Sequence, residues 1–245
     1  MTIFFADLDR TLIYSTDALG PRTPDRDELA LVCVETYQGQ PISFVTEVAA
    51  RGIGRLLEAE ALVPVTTRSV EQYRRVRFPG PPPRLALVAN GGLLLRDDGL
   101  DEDYRKETAS WLVGSTPLDV VFAHLQSVAD PRFSVNLRTV EGLFCYAVVD
   151  TDKVPPSWAA ELADYAAGLE WQVSNQGRKV YLLPRGLSKG RAAQRIADEL
   201  NLNGFLAAGD SNTDASMLAK ASEAMIPRHA SLVEHANELG ASTTQ

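Results

Sequence analysis

The alternation of apolar and polar residues along the chain predicts an α/β fold. Short, unbroken apolar runs recur, and each leads into a polar turn and then into a segment with helical spacing. Such runs are typical of strands that are buried on both faces of a parallel sheet. The predicted strands cover residues 3–6, 62–65, 85–89, 204–208 and 224–227, and the predicted helices cover residues 46–60, 69–76 and 188–200. We expect residues after about Gly240 to be frayed.

Two further β-prone runs predict a hairpin soon after the first strand. They cover residues 29–37 and 42–45 and flank Gln38-Gly39-Gln40-Pro41. Its place in the chain suits a flap over the end of the sheet. Thr46 is the expected N-cap of the helix that follows.

The middle of the chain has a different order of elements. A helix over residues 103–128, broken near 114–117, precedes strands at 133–138 and 143–150; a helix at 158–167 precedes strands at 169–174 and 179–183. This αββαββ order predicts a small antiparallel sheet covered by helices, which is an inserted α+β domain. Residues 1–83 and 186–245 then form one discontinuous domain, and residues 84–185 form the insertion with its connecting strands.

Charge and composition narrow the function. The 245-residue chain carries a net charge of -8, with a pI near 5.0, which argues against nucleic-acid binding through a broad basic surface. Small phosphorylated molecules remain compatible, because a few local cations suffice to bind them. Cys33 and Cys145 show no spacing for a disulfide framework or a zinc site. With no apolar run long enough to span a bilayer and no leader segment, the expected location is the cytoplasm.

The most informative stretch is the first strand, which runs directly into Asp7-Leu8-Asp9. Ligands of open α/β sheets bind beyond the carboxyl ends of the strands. Two carboxylates so close repel each other unless a cation lies beside them, and Mg²⁺ prefers such oxygen ligands. The competing interpretation is an ordinary strand end with solvated aspartates.

Three further residues favour the chemical interpretation. Thr66 and Asp210 each follow a predicted strand, and Lys189 begins a predicted helix, so that all three can reach the edge where Asp7 lies. The set suits phosphoryl transfer. One carboxylate can attack phosphorus, and a second can move a proton. A hydroxyl, an ammonium and Mg²⁺ can balance the charge on the phosphoryl oxygens.

These motifs resemble, in order, the four motifs of the haloacid dehalogenase (HAD) superfamily. Residues 7–11, DLDRT, match DxDxT; residues 66–68 resemble the second motif; Lys189 matches the third; and residues 209–214, GDSNTD, match GDxxxD. The position and αββαββ order of the insertion, together with Asn90-Gly91-Gly92, resemble the type IIB cap branch. That branch includes Cof-like, sucrose-phosphate and mannosyl-3-phosphoglycerate phosphatases.

The resemblance implies a Rossmann-like HAD core with an inserted α+β cap, and it assigns roles to residues. Asp7 is the implied nucleophile and Asp9 the general acid/base, while Thr66 and Lys189 hold the phosphate. The implied Mg²⁺ ligands are Asp7, the backbone carbonyl of Asp9, Asp210 and Asp214. The substrate-binding candidates are Arg10, Arg68 and Asn90. Three positions depart from the common pattern: Arg10 and Thr67 replace glycines, and Thr213 replaces an asparagine.

The expected activity is Mg²⁺-dependent hydrolysis of a small phosphorylated metabolite, with sugar phosphates among the candidates, through an aspartyl phosphate. Two alternatives stay open. A phosphomutase would use the same residues and return the phosphoryl group to its substrate. A non-catalytic regulatory protein would bind a phosphorylated metabolite without turnover. The sequence gives no indication of an oligomeric state.

Overall fold

A computed structural model describes residues 2–19, 30–230, 232 and 241–244. The chain divides into two compact units, Met1–Asp101 with Lys189–Gln245, and Glu102–Ser188. The first unit begins with β1 (Phe4–Ala6), β2 (Tyr14–Ser15), β3 (Leu31–Tyr37), β4 (Gln40–Thr46), α1 (Glu47–Glu58), β5 (Leu62–Pro64), α2 (Val70–Tyr73), β6 (Leu85–Val88), a 3₁₀ turn (Ala89–Gly91), β7 (Leu93–Arg96) and β8 (Gly99–Leu100). The second unit contains α3 (Glu102–Trp111), α4 (Leu118–Val128), β9 (Ser134–Val140), β10 (Phe144–Val149), α5 (Pro156–Ala167), β11 (Trp171–Gln176) and β12 (Lys179–Pro184). The first unit then resumes with α6 (Lys189–Glu199), β13 (Leu206–Ala208), α7 (Ala215–Leu218), β14 (Glu223–Pro227) and β15 (Ala241–Thr244).

A five-stranded parallel sheet forms the centre of the first unit, in the order β15-β14-β13-β1-β5. In the middle of this sheet, Phe5 lies between Val63 and Ala207 and is completely buried. Its ring packs edge-on against Phe205 at 4.9 Å between centroids. The strands are buried as their apolar runs predict, and the carboxyl ends of β1, β5 and β13 lie side by side.

The three-stranded antiparallel sheet β6-β7-β8 belongs to the first unit, which corrects the predicted domain boundary at residue 84. Leu87 forms a parallel bridge with Val65, directly after β5, and the Thr66 amide donates a hydrogen bond to the Leu87 carbonyl at 2.8 Å. Residues 85–100 therefore extend the layer beside β5. An apolar run of this kind is compatible with either domain when only the sequence is considered.

The early hairpin is present as β3 and β4, which form a small antiparallel sheet with β2 in the order β2-β4-β3. Thr46 caps α1 as expected, because its hydroxyl accepts a hydrogen bond from the Ala49 amide at 3.2 Å. The expectation of a frayed tail is wrong for residues 241–244. They form β15, which pairs in parallel with β14 and so supplies hydrogen-bond partners to that strand's outer edge.

The second unit has the predicted α+β composition. Its four strands are antiparallel in the order β11-β12-β10-β9, and the predicted helix break separates α3 from α4. Trp158 and Trp171 are buried, and their indole N–H groups donate to the carbonyls of Val128 and Thr116 at 2.9 Å each. These tryptophans therefore serve the core of this unit. Within the described part of the chain, no helix has the length and apolar character needed to cross a membrane.

Candidate active site

A buried lysine joins two carboxylates at the carboxyl edge of the parallel sheet. The Lys189 ammonium donates hydrogen bonds to Asp7 Oδ1 at 2.5 Å and to Asp214 Oδ1 at 2.6 Å. Lys189 is 1% exposed and Asp7 is 5% exposed, so solvent hardly screens these ion pairs. Burial alone would lower the pKa of Lys189, but Asp214 and Asp7 outweigh it and raise that pKa. The side chain therefore stays an ammonium.

Backbone geometry fixes these groups. Asp7 directly follows β1, and its amide donates to the Ala208 carbonyl of β13 at 2.9 Å. At the start of α6, a Cβ added to Gly190 would lie 2.1 Å from the Ser216 carbonyl oxygen. Because only glycine allows this approach, Gly190 lets the first turn of α6 lie directly against α7.

The acidic loop after β13 is organised around Asp214, which is completely buried. Its Oδ2 accepts hydrogen bonds from the Asp210 amide at 3.2 Å, the Ser211 amide at 3.0 Å and the Ser211 hydroxyl at 2.7 Å. A Cβ added to Gly209 would lie 2.3 Å from Asp214 Cβ. The glycine of the GDxxxD pattern therefore makes room for the second aspartate.

Asp7, Asp210 and Asp214 together form an acidic cluster that fits a divalent cation. Each offers one carboxylate oxygen, and these oxygens lie within 4.8 Å of one another. Burial raises the pKa of Asp7 well above its ordinary range; Lys189 opposes this rise, and the neighbouring carboxylates add to it. Burial and Asp214 raise the pKa of Asp210 to about 6. Carboxylates that are buried this close together repel one another, and a metal ion bound by their oxygens would neutralise that charge.

The carboxylate of Asp9 is held by Arg68. Arg68 donates from Nε to Asp9 Oδ2 at 2.8 Å and from Nη2 to Asp9 Oδ1 at 2.7 Å, which is a bidentate pair. The third nitrogen, Nη1, lies 2.9 Å from Glu35 Oε2 on β3. Arg68 was predicted as a substrate-binding candidate. In this structure its guanidinium is engaged with two carboxylates.

Thr66 and Asn90 lie together, because the end of β5 and the turn after β6 bring them to one place. Thr66 is completely buried; its hydroxyl accepts a hydrogen bond from the Arg68 amide at 3.2 Å, and its carbonyl accepts one from the Asn90 amide at 2.8 Å. Asn90 has φ of 59°, a left-handed conformation that asparagine tolerates better than most residues.

Arg10 also adopts a left-handed conformation, with φ of 63°. Its Nε lies 3.3 Å from Asp210 Oδ2, while its half-exposed side chain remains accessible to solvent. The His229 ring nitrogen Nε2 lies 2.9 Å from the Arg10 carbonyl oxygen, and the His229 ring packs edge-on against Tyr14. The turn after the first motif is thus held by residues that the sequence did not single out.

Glu35, which binds Arg68 at this site, is a further residue that the sequence did not single out. A signal for it existed, because Glu35 interrupts the β-prone run LVCVETY, where a charged side chain on a buried face needs a partner.

Comparisons with solved structures identify the fold that carries this site. A sucrose-phosphatase from Synechocystis sp. PCC6803, solved with sucrose and phosphate, aligns with a TM-score of 0.65 at 18% identity over 100% of this chain and 91% of its own. A haloacid dehalogenase-like hydrolase from Bacteroides thetaiotaomicron aligns with a TM-score of 0.61 at 17% identity over 99% and 94%. A HAD subclass IIB sugar phosphatase aligns with a TM-score of 0.57 at 10% identity over 99% and 94%. No family model and no curated protein matches the chain.

The chain therefore combines a parallel α/β core, an acidic cluster at the carboxyl edge of that core, and an inserted α+β unit. This is the fold of the HAD-superfamily phosphatases, and the resemblance drawn from the four motifs is confirmed at the level of the fold.

Proposed function

We propose that the chain is a Mg²⁺-dependent phosphatase that hydrolyses a small phosphorylated metabolite through an aspartyl phosphate on Asp7. The observation that carries this proposal is the buried contact between Lys189 and Asp7, 2.5 Å long, beside the carboxylates of Asp210 and Asp214. A nucleophilic carboxylate for phosphoryl transfer needs cationic neighbours, because it attacks an anionic phosphate ester.

In the proposed reaction, an Asp7 carboxylate oxygen attacks phosphorus and the bond from phosphorus to the leaving oxygen breaks. Asp9 donates a proton to that oxygen, so that the substrate alcohol departs. Asp9 then accepts a proton from a water molecule that attacks phosphorus, which frees Asp7 and releases inorganic phosphate. Lys189 and Thr66 hold the phosphoryl oxygens in both steps.

Mg²⁺ would be held by the carboxylates of Asp7, Asp210 and Asp214 and by the backbone carbonyl of Asp9. It supplies a compact positive charge that offsets the negative charge of the phosphoryl oxygens. The proximity of the Asp7, Asp210 and Asp214 carboxylate oxygens, within 4.8 Å of one another, supports this role, and hydrogen bonds from the loop backbone fix the Asp214 carboxylate beside the other two.

We propose sugar phosphates as the first substrate class to test. Two of the structurally similar proteins are described as a sucrose-phosphatase and as a sugar phosphatase. At 18% and 10% identity these proteins share the fold with this chain, and the substrate class is our proposal. A cytoplasmic location likewise stays a prediction.

The test measures inorganic phosphate released from a panel of phosphorylated sugars, with Mg²⁺ and with EDTA. We expect Mg²⁺-dependent release from a subset of the panel. In Asp7→Asn, the rate of phosphate release should fall by at least about 10³-fold, because the amide is a poor nucleophile. Asp198→Asn, an exposed carboxylate on α6, is the matched control and should keep full activity.

The alternatives give different products. A mutase would convert one sugar phosphate into an isomer with little free phosphate. A binding protein would retain a phosphorylated ligand without converting it. Full activity in Asp7→Asn would refute the aspartyl-phosphate route.

A further inference from the structure

The hairpin formed by β3 and β4 carries a buried carboxylate that the proposed reaction does not use. The side chain of Glu35 is completely buried. Its Oε2 accepts a hydrogen bond from the Ser43 hydroxyl at 2.7 Å and lies 2.9 Å from Arg68 Nη1; its Oε1 lies 3.1 Å from Arg75 Nε. A buried charge of this kind is costly unless it is paired, and Glu35 is paired on both oxygens.

Arg68 connects this carboxylate to the active site. Its guanidinium is planar, with donors in a fixed fork, so that binding at one edge orients the other. Glu35 engages Nη1, and the opposite edge, Nε and Nη2, then points at both oxygens of Asp9. The Arg68 side chain is only 12% exposed, whereas the Asp9 side chain is 49% exposed. The buried Glu35 and Arg68 side chains therefore restrain the more exposed side chain of Asp9.

We propose that Glu35 is a positioning residue for Asp9 and acts through the guanidinium of Arg68. A half-exposed aspartate on a turn has several accessible rotamers, and proton transfer requires one of them. The Glu35–Arg68 pair selects that rotamer before substrate binds. This inference rests on the proposed function, in which Asp9 moves the proton.

The same hairpin supplies controls that separate positioning from general stability. Arg75 binds Glu35, and its guanidinium lies 4.8 Å from the centroid of the Tyr37 ring. The Ser43 hydroxyl binds Glu35 from β4. Neither side chain contacts Asp9: Arg75 binds Oε1 of Glu35, and Ser43 binds Oε2, the oxygen that also faces Arg68. Variants at these two positions thus perturb the surroundings of Glu35 and keep the connection to the active site.

The primary test is Glu35→Gln, which keeps the size of the side chain and removes its charge. We expect kcat for the best sugar phosphate to fall about 10- to 100-fold while KM stays within about twofold, because positioning acts on proton transfer and not on substrate binding. Glu35→Asp should recover part of this loss. Arg75→Gln and Ser43→Ala should keep kcat within about threefold. Equal losses in kcat for Glu35→Gln and the two controls would reduce Glu35 to a structural anchor and overturn the inference.

A double-mutant cycle adds a readout that a purely structural role does not move. In the Asp9→Asn background, Glu35→Gln should lower the residual kcat by less than about twofold, since Asp9 is no longer there to position. If the two effects multiply, the proposed connection through Arg68 is refuted. Should Glu35→Gln fail to fold, Arg68→Lys serves instead. Its ammonium cannot engage both carboxylates as a fork does, so the same fall in kcat at constant KM is expected.

Different outcomes would overturn the positioning role of Glu35 and the proposed phosphatase activity. If the wild type releases no phosphate from any substrate, or if Asp7→Asn is fully active, the proposed function falls, and the role of Glu35 falls with it. If wild-type turnover depends on Asp7 and Glu35→Gln matches the wild type in kcat, only the positioning role is overturned.

Discussion

Replacement of Asp210 by asparagine should make the metal-free protein more stable at neutral pH, although it removes a proposed metal ligand. The carboxyl of Asp210 has a pKa raised from its ordinary value of 3.8 to about 6, chiefly by burial and then by the charge of Asp214. Its side chain is 11% exposed. The folded protein therefore binds this proton more tightly than the unfolded chain does, and ionisation of Asp210 works against folding.

The sign and size of the effect follow from the linkage between proton binding and folding. Stability that the protonated carboxyl contributes is present below about pH 4 and is lost as the pH rises through about 6. One pKa unit is ~1.4 kcal/mol, so the loss amounts to about 3 kcal/mol at pH 7.5 and about half of that at pH 5. An asparagine carries no charge at either pH. The increase in the free energy of unfolding caused by Asp210→Asn should therefore be about twice as large at pH 7.5 as at pH 5.

The assay is urea unfolding of wild type and Asp210→Asn in EDTA at both pH values, repeated with saturating Mg²⁺. Mg²⁺ at about 100 times its Kd should stabilise the wild type by ~2.7 kcal/mol. It should stabilise the variant far less, so that Mg²⁺ nearly cancels the advantage of the variant at pH 7.5 and reverses the order of stability at pH 5. Asp198→Asn is the control, and its stability should match that of the wild type in every condition. A variant that is less stable than the wild type in EDTA at pH 7.5, or equally stabilised by Mg²⁺, would refute the reasoning.

Two further predictions concern the framework of the site and are measured by thermal or urea unfolding. Gly190→Ala should destabilise the fold by about 1–3 kcal/mol, because its new Cβ would lie 2.1 Å from the Ser216 carbonyl oxygen. The control is Gly52→Ala in α1, whose new Cβ has no atom within 4 Å; it should stabilise the fold by about 0.5–1 kcal/mol. Equal changes in the free energy of unfolding for the two variants would contradict this prediction. Ser69→Ala should cost about 1 kcal/mol, because the Ser69 hydroxyl accepts from the Gln72 amide in a capping box at the start of α2; Ser69→Asp should keep most of that stability.

The parts of the fold that could be predicted are those in which local pattern and burial agree. The runs before Asp7, Thr66 and Asp210 are apolar throughout because β1, β5 and β13 are buried on both faces, so pattern alone located them. The order of the four motifs then predicted which strand ends and helix start share one edge. Lys189 beside Asp7 follows from that topology, although 182 residues separate them in the chain.

The parts that could not be predicted depend on packing between distant segments. Residues 85–100 belong to the first unit because Leu87 bridges to Val65, and an apolar run does not indicate which strand it will pair with. Glu35 is charged in a β-prone run, but its partner Arg68 lies in the second motif, and only the tertiary structure brings the two together. Local sequence patterns predict which face of a strand or helix is buried and where turns occur, but they do not predict which buried faces pack together.

The charges around Lys189 explain how one small site can suit both a cation and an anion. The ammonium carries three donors, and Asp7 and Asp214 take one each among the described residues. In the proposed function the third donor serves a phosphoryl oxygen, while the carboxylates of Asp7, Asp210 and Asp214 would hold Mg²⁺. Without the metal, burial and then the neighbouring carboxylates raise the pKa values of Asp7 and Asp210, and the ionised cluster would repel a phosphate ester. The proposed dependence on Mg²⁺ is therefore what the three neighbouring carboxylates lead us to expect.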